Sequence, residues 1–352
     1  MKKALLLLFL TMCYTSYSQK PGNDQRSFNN PLFNSGADPW IIFKDGFYYY
    51  TNTSGSRLFI RKARNLEELK SSEPITIWTP LQGTNYSREI WAPELHFIKG
   101  RWYMYFAADD GKNENHRMYL VENPSPDPTT GEWEFKGKVA DPSDKWAIDG
   151  SVFEYKGKLY FIWSGWEGDV DGRQDIYIAE MSNPWTIAGA RIRISTPEYD
   201  WETVGDIKTP NGSRHVNVNE GPVILSNKNK LYLVYSASGC WTDAYCLGML
   251  TFTGKDPLDQ GGWKKNPESV FKQRPEAGIY APGHNSFFKS PDGKENWILY
   301  HANSAPGQGC GRYRSPRAQK FMFKKDGTPD FGIPVDPDKP IPAPSEISRR
   351  KM

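Results

Sequence analysis

The chain is 352 residues long and carries 44 Lys and Arg against 41 Asp and Glu, a formal net charge of +3. With so even a balance and basic residues scattered along the chain, nothing points to nucleic acid or an anionic membrane surface as a partner. Aromatic residues make up 14% of the chain and Trp occurs 13 times, which suits aromatic strand cores with a minority left as stacking platforms for sugars.

Met1-Lys2-Lys3 followed by Ala4 to Leu10 is a basic start and a short apolar run, too short to span a bilayer, and it reads as a secretory signal peptide over residues 1–18. Ser16-Tyr17-Ser18 supplies the small residues of a cleavage site and leaves Gln19 as the new terminus, so the protein is expected to be secreted or periplasmic. The rival reading is a lipoprotein acylated on Cys13, for which Met12 is a poor neighbour. No other stretch is long or apolar enough to cross a membrane. Residues 19–31 are polar and read as an N-terminal arm.

From residue 32 one pattern recurs. Asp38-Pro39 opens a short apolar strand that turns at Lys44-Asp45-Gly46 and returns through Phe47 to Thr51, which predicts a β-hairpin. Leu58–Ala63 reads as an outer strand, Asn65–Leu69 as a helical turn and Thr76–Trp78 as a further strand. The second copy starts at Trp91-Ala92-Pro93-Glu94 and turns at Lys99-Gly100; its outer strands are Arg117–Val121 and Glu132–Lys136. Ile148-Asp149-Gly150 heads the third, Glu220-Gly221-Pro222 the fourth and Gly283-His284-Asn285 the fifth. Copies spaced roughly 55 to 70 residues apart mark a radial repeat, because a sheet cannot bury both faces alone. The fold class predicted is all-β, a single-domain five-bladed β-propeller over residues 32–333, with a Pro-rich, charged tail over 334–352 expected to lie along the surface or to be disordered. In that arrangement Asp38, Glu94, Asp149, Glu220 and His284 converge on one space at one end of the central channel.

An exported chain permits disulfides. Cys240, Cys246 and Cys310 remain after processing; Cys240 and Cys246 flank a short loop they could close, and an odd count leaves one thiol over. The cysteines come with no C-x-x-C pair or His cluster, so they do not read as a metal site.

Carboxylates crowded in one cleft cannot all ionise cheaply: one pKa rises and that group can act as an acid while another stays a base. Glycoside hydrolysis with inversion needs that pair. An Asp beside Gly or Pro is usually only a turn residue, but its recurrence at the head of successive hairpins favours the chemical reading.

The motifs Ala37-Asp38-Pro39, Trp91-Ala92-Pro93-Glu94, Ile148-Asp149-Gly150 and Asn219-Glu220-Gly221-Pro222, in this order, resemble glycoside hydrolase family 43, inverting enzymes on a five-bladed propeller. By that resemblance Asp38 matches the general base, Glu220 the general acid and Asp149 the carboxylate that orients the acid. The segment Tyr280 to Ser286 is similar to the family stretch whose His points into the channel, which makes His284 a candidate metal residue near a structural calcium or sodium ion; the chemistry itself requires no cofactor. Trp91 and Trp166 are candidate walls of the sugar pocket, and Arg314 lies where the family often places a pocket arginine. The runs Trp102 to Asp110, Ser164 to Gly168 and Arg314 to Gln319 most resemble members that remove terminal arabinofuranose. The expected activity is therefore exo-acting α-L-arabinofuranosidase on plant-type arabinose-containing poly- or oligosaccharides. A β-xylosidase or an endo-arabinanase of the same family is the alternative. A non-catalytic glycan-binding propeller has no need for all three acids, and a sucrose-using propeller enzyme lacks its Arg-Asp-Pro segment here.

Overall fold

The computed structural model describes residues 26–209 and 212–347. The expected signal peptide, Cys13 and most of the arm lie outside the described residues.

The chain is all-β, and among the described residues one α-helix, Leu66–Ser71, interrupts a succession of strands. Antiparallel meanders follow one another, led by Trp40–Lys44, Arg88–Ile98, Ala147–Tyr155, Asn217–Asn227 and Tyr280–Lys289; each has four strands except the third, to which the two-residue strand Thr186–Ile187 is added. The third and fourth are also bridged by a short parallel pairing of Arg173 and Gln174 with Asn217 and Val218. Turn chemistry sets the hairpins: Asp45-Gly46, Lys99-Gly100 and Lys156-Gly157 all have positive φ at both positions, the conformation whose twist matches the flanking strands. Asn65 caps the helix by accepting the Glu68 amide at 2.8 Å.

Side chains alternate between the two faces of each meander, so each buries aromatic and branched residues against both neighbours. Tyr49, Leu95 and Trp102 pack between the first and second meanders; Tyr105, Phe161 and Trp163 between the second and third; Ile162, Ile178 and Leu233 between the third and fourth; Val234, Ile298 and Tyr300 between the fourth and fifth. The series closes on itself, since Tyr48 and Ile41 of the first pack with Phe288 and Trp297 of the fifth. The leading strands also meet their neighbours in this cyclic order.

Parts of the expected arm and tail belong to this closing seam. Ser27–Phe28 pairs with Ile341–Pro342, Phe28 and Ile341 are buried there, and Asn30 exchanges hydrogen bonds with the Ala318 backbone at 2.9 and 3.0 Å. The tail is thus not loose throughout: an apolar residue at 341 inside a charged, Pro-rich stretch was enough to dock it. The disulfide also differs from the short loop closure expected. Cys240 is bonded to Cys310, joining loops of the fourth and fifth meanders, while Cys246 is a free, buried thiol. Cys246 starts the strand Cys246–Phe252, paired with Ala237, so its side chain is committed to the core.

Candidate active site

Four of the five leading strands are distorted near their starts; the first, Trp40–Lys44, is regular, and its bend falls just before it at Asp38. Register shifts separate Trp91 from Glu94, Ile148 from Ser151, Glu220 from Val223 and Gly283 from Ser286. Left-handed backbone accompanies them, with φ of 56° at Asp38, 43° at Ala92, 55° at Asp149, 55° at Gly221 and 47° at His284. A non-glycine residue held there costs about 1–3 kcal/mol, and such strain collects at functional sites. It turns the side chains out of the strand alternation and into a cavity of about 480 Å³, lined by Asp38, Asp149, Glu220, Trp91, His284 and Arg314 among others. Gly150 leaves the room this bend needs, since a Cβ there would sit 2.2 Å from the Phe161 ring.

The three expected acids, Asp38, Asp149 and Glu220, are buried yet carry different partners. Asp38 receives Arg314 Nη1 at 3.0 Å and the Thr53 hydroxyl at 2.5 Å, with His284 Nδ1 at 3.3 Å. Burial raises its pKa, but Arg314, the two histidines His284 and His301 and the Thr53 bond outweigh it, and the carboxyl is held well below the usual range. Burial also pushes both histidines down, so at neutral pH they are uncharged and the lasting positive charge beside Asp38 is Arg314. His301 Nδ1 accepts the Asp38 amide at 3.1 Å, which fixes its tautomer with the proton on Nε2. Glu220 accepts the Tyr245 hydroxyl at 2.8 Å. Burial lifts its pKa to about 7, with Asp38 adding to the rise and the Tyr245 bond and Arg314 opposing it. Asp149 accepts the Gly221 amide at 2.9 Å and is likewise raised, by burial first and then by Glu220 and Asp38. Asp149 and Glu220 thus titrate as a coupled pair, both raised, with the Gly221 amide opposing the rise at Asp149 as the Tyr245 hydroxyl opposes it at Glu220.

Trp91 lies on the wall, its ring stacked on His116 at 4.0 Å and its Nε1 donating to Glu89 at 3.1 Å. Trp166 is not in the lining: it is 3% exposed and stacks at 4.7 Å behind Trp146, which takes the wall position. Glu94 is not in the lining either. It is buried and bonded to His96 at 2.9 Å, with burial raising its pKa, because Trp91 and Ala92 spend the bulge one step earlier. Thr53, Trp146, Arg214, Trp241, Tyr245 and His301 join or support the cavity without having been expected. Tyr245 carried a faint signal, as an aromatic between two cysteines; Arg214 sits on the hairpin Asp206–Thr209 with Gly212–His215 and pairs with Asp171.

His284 Nδ1 faces Asp38 and Asp149, the latter at 3.8 Å. Among the described residues no group of three or more His, Cys, Asp and Glu side chains is arranged to hold a metal ion.

Acids of opposed ionisation in one cavity, on a cyclically closed all-β scaffold, suit a glycoside hydrolase. Residues 28–329 match the family described as Glycosyl hydrolases family 43, and the chain belongs to that family. It is 39% identical over 339 residues to an extracellular exo-alpha-(1->5)-L-arabinofuranosidase of Streptomyces avermitilis, a match covering 94% of this chain and 68% of that protein. A protein of the same description from Streptomyces chartreusis is 39% identical over 281 residues, covering 78% of this chain and 82% of the relative. Among solved structures, the alpha-L-arabinofuranosidase from Lactobacillus brevis superposes with a TM-score of 0.80 at 37% identity, over 89% of this chain and 98% of that one. Among the described residues no helix is long and apolar enough to cross a membrane.

Proposed function

We propose that the chain is an inverting, exo-acting α-L-arabinofuranosidase, built as a five-bladed propeller in which each meander is one blade. The observation that carries the reading is the pairing of an ionised Asp38, held by Arg314, with a Glu220 whose pKa is lifted to about 7 in the same cavity. The names of the similar proteins support the sugar and the exo mode.

In this mechanism Asp38 takes a proton from a water as that water attacks the anomeric carbon. Glu220 gives its proton to the departing oxygen in the same displacement, which inverts the configuration. Asp149 stays ionised and, through the Gly221 amide, holds the backbone beside the acid. Trp91 and Trp146 form the walls against which the pentose ring rests. The substrate is an arabinose-containing poly- or oligosaccharide, met outside the cytoplasm after export through the leader.

Proton NMR of the protein with an aryl α-L-arabinofuranoside and an aryl β-D-xyloside tests this. β-Arabinofuranose appearing first from the α-substrate is the expected result. Retained configuration overturns the single displacement, cleavage of the xyloside alone makes the protein a xylosidase, and silence on both leaves a glycan-binding module.

A further inference from the structure

We propose that Asn219, anchored by Glu202 among others, is a positioning residue for Glu220, clamping the acid's backbone across the seam between the third and fourth meanders. The inference rests on the reading of Glu220 as the general acid.

Asn219 immediately precedes Glu220, and strand alternation sends its side chain to the opposite face, away from the cavity. There it is fully buried and held at every polar atom. Its Nδ2 donates to Glu202 Oε1 at 3.0 Å, and its Oδ1 accepts the Ser195 hydroxyl at 2.7 Å and Lys265 Nζ at 3.4 Å. Its backbone carbonyl accepts the Ser164 hydroxyl at 2.9 Å. Ser164 and Ser195 belong to the third meander; Lys265 belongs to the fourth, and Glu202 ends the short 3-10 turn Asp200–Glu202 that connects the two.

Glu202 is itself saturated. Besides Asn219 it accepts Lys265 at 2.9 Å, the Tyr235 hydroxyl at 2.7 Å, and the backbone amides of Glu198 and Tyr199 at 2.9 and 3.1 Å. A buried Glu–Lys pair contributes little stability beyond what well-packed apolar residues give, so stability alone does not explain this one. Where its Asn219 arm ends does. Glu220 sits between two anchored neighbours: Asn219, tied by its side chain to Glu202, and Gly221, tied by its amide to Asp149 at 2.9 Å. One anchor precedes Glu220 in the paired strand, and the other, Gly221, opens the bulge that follows it.

A loosened acid has a specific kinetic signature. A displacement of about 1 Å costs on the order of 10²-fold in rate where proton transfer is needed. A leaving group that departs as a stable anion needs no proton. The full chain carrying Asn219→Ala is therefore compared with the unmutated protein on α-1,5-linked arabinobiose and on 2,4-dinitrophenyl α-L-arabinofuranoside. The expected result is a fall of about 100-fold in kcat/KM on the disaccharide and less than about 3-fold on the activated aryl substrate. Equal losses on both, or none on either, overturn the inference. Ser195→Ala, which removes one bond to Asn219, serves if Asn219→Ala does not fold. It should lower disaccharide cleavage about 5-fold and spare the aryl substrate, and a Ser195→Ala protein without that split also overturns the inference. Glu220→Gln separates the two claims: if it shows no leaving-group dependence the acid assignment fails, whereas if it does and Asn219→Ala does not, only the positioning role fails.

Discussion

Replacing the acid should strengthen the fold at alkaline pH. Glu220 titrates at about 7 in place of an ordinary 4.5, chiefly because it is buried. Below about pH 4.5 the carboxyl is protonated in both folded and unfolded chains and costs nothing. Between 4.5 and 7 the unfolded chain releases the proton while the folded one keeps it, and above about 7 the folded protein bears the full cost of a buried charge. A shift of about 2.5 units at 1.36 kcal/mol per unit amounts to about 3 kcal/mol. Glu220→Gln removes that charge, keeps an oxygen for the Tyr245 hydroxyl, and relieves the repulsion on Asp149, which acts in the same direction. With an unfolding entropy of about 2.1 cal/mol/K per residue, the gain corresponds to a rise in Tm of about 5 °C at pH 8.5 and almost none at pH 4.5. Thermal melts of both proteins at the two pH values measure it. A variant less stable than the parent at pH 8.5, or one equally stabilised at both, would refute the reasoning, because packing and not charge would then govern the site.

The same titration sets the pH profile: kcat/KM on an aryl α-L-arabinofuranoside should fall tenfold per pH unit above about pH 7 as Glu220 loses its proton, while Asp38, held ionised beside Arg314, adds no acid limb of its own. A profile still level at about pH 9 would contradict the assignment of Glu220. Asp38→Asn is expected to lower kcat by about 10²–10⁴-fold with little change in KM, read by steady-state kinetics. Trp146→Ala should raise KM about tenfold, by opening the wall and removing the support of Trp166, whereas Trp166→Phe, behind that wall, should change KM less than about twofold. Cys310→Ser opens the link to Cys240, 70 residues apart, and should cost about 2–4 kcal/mol of stability, seen as a lower Tm that added reductant does not lower further.

The repeat was legible because hairpin chemistry is local. Asp45-Gly46, Lys99-Gly100 and Lys156-Gly157 announce their turns within two residues, and aromatic alternation then fixes the strand that follows. The strand Leu58–Ala63 and a helical turn at Asn65–Leu69 were equally plain. The cavity was legible in its acids, since Asp38, Asp149 and Glu220 head three copies of one pattern. Two of their partners were not, because Thr53 and Tyr245 lie in loops after the strands, with no repeat phase of their own, whereas Arg314 was expected in the pocket by family resemblance. Trp91 and Trp166 looked alike in sequence; stacking order alone decides that Trp146 faces the cavity and Trp166 backs it. The bridge between Cys240 and Cys310 joins two loops that only ring closure brings together, whereas proximity in sequence favoured Cys246.

The distribution of charge explains how Arg314 serves three neighbouring acids, Asp38, Asp149 and Glu220. Arg314 lowers the pKa of both Asp38 and Glu220, so a placement midway between them would leave no proton donor at neutral pH. Its hydrogen bond at 3.0 Å goes to Asp38 alone. That geometry commits the positive charge to the base and leaves Glu220 dominated by burial and by the nearby anion. The histidines stay neutral because burial disfavours the imidazolium, so His284, within 3.8 Å of Asp149, adds no second lasting positive charge there. Burial therefore does two opposite jobs in one cavity, discharging imidazoles and retaining a carboxylic proton, and the direction of each follows from which form of the group carries charge.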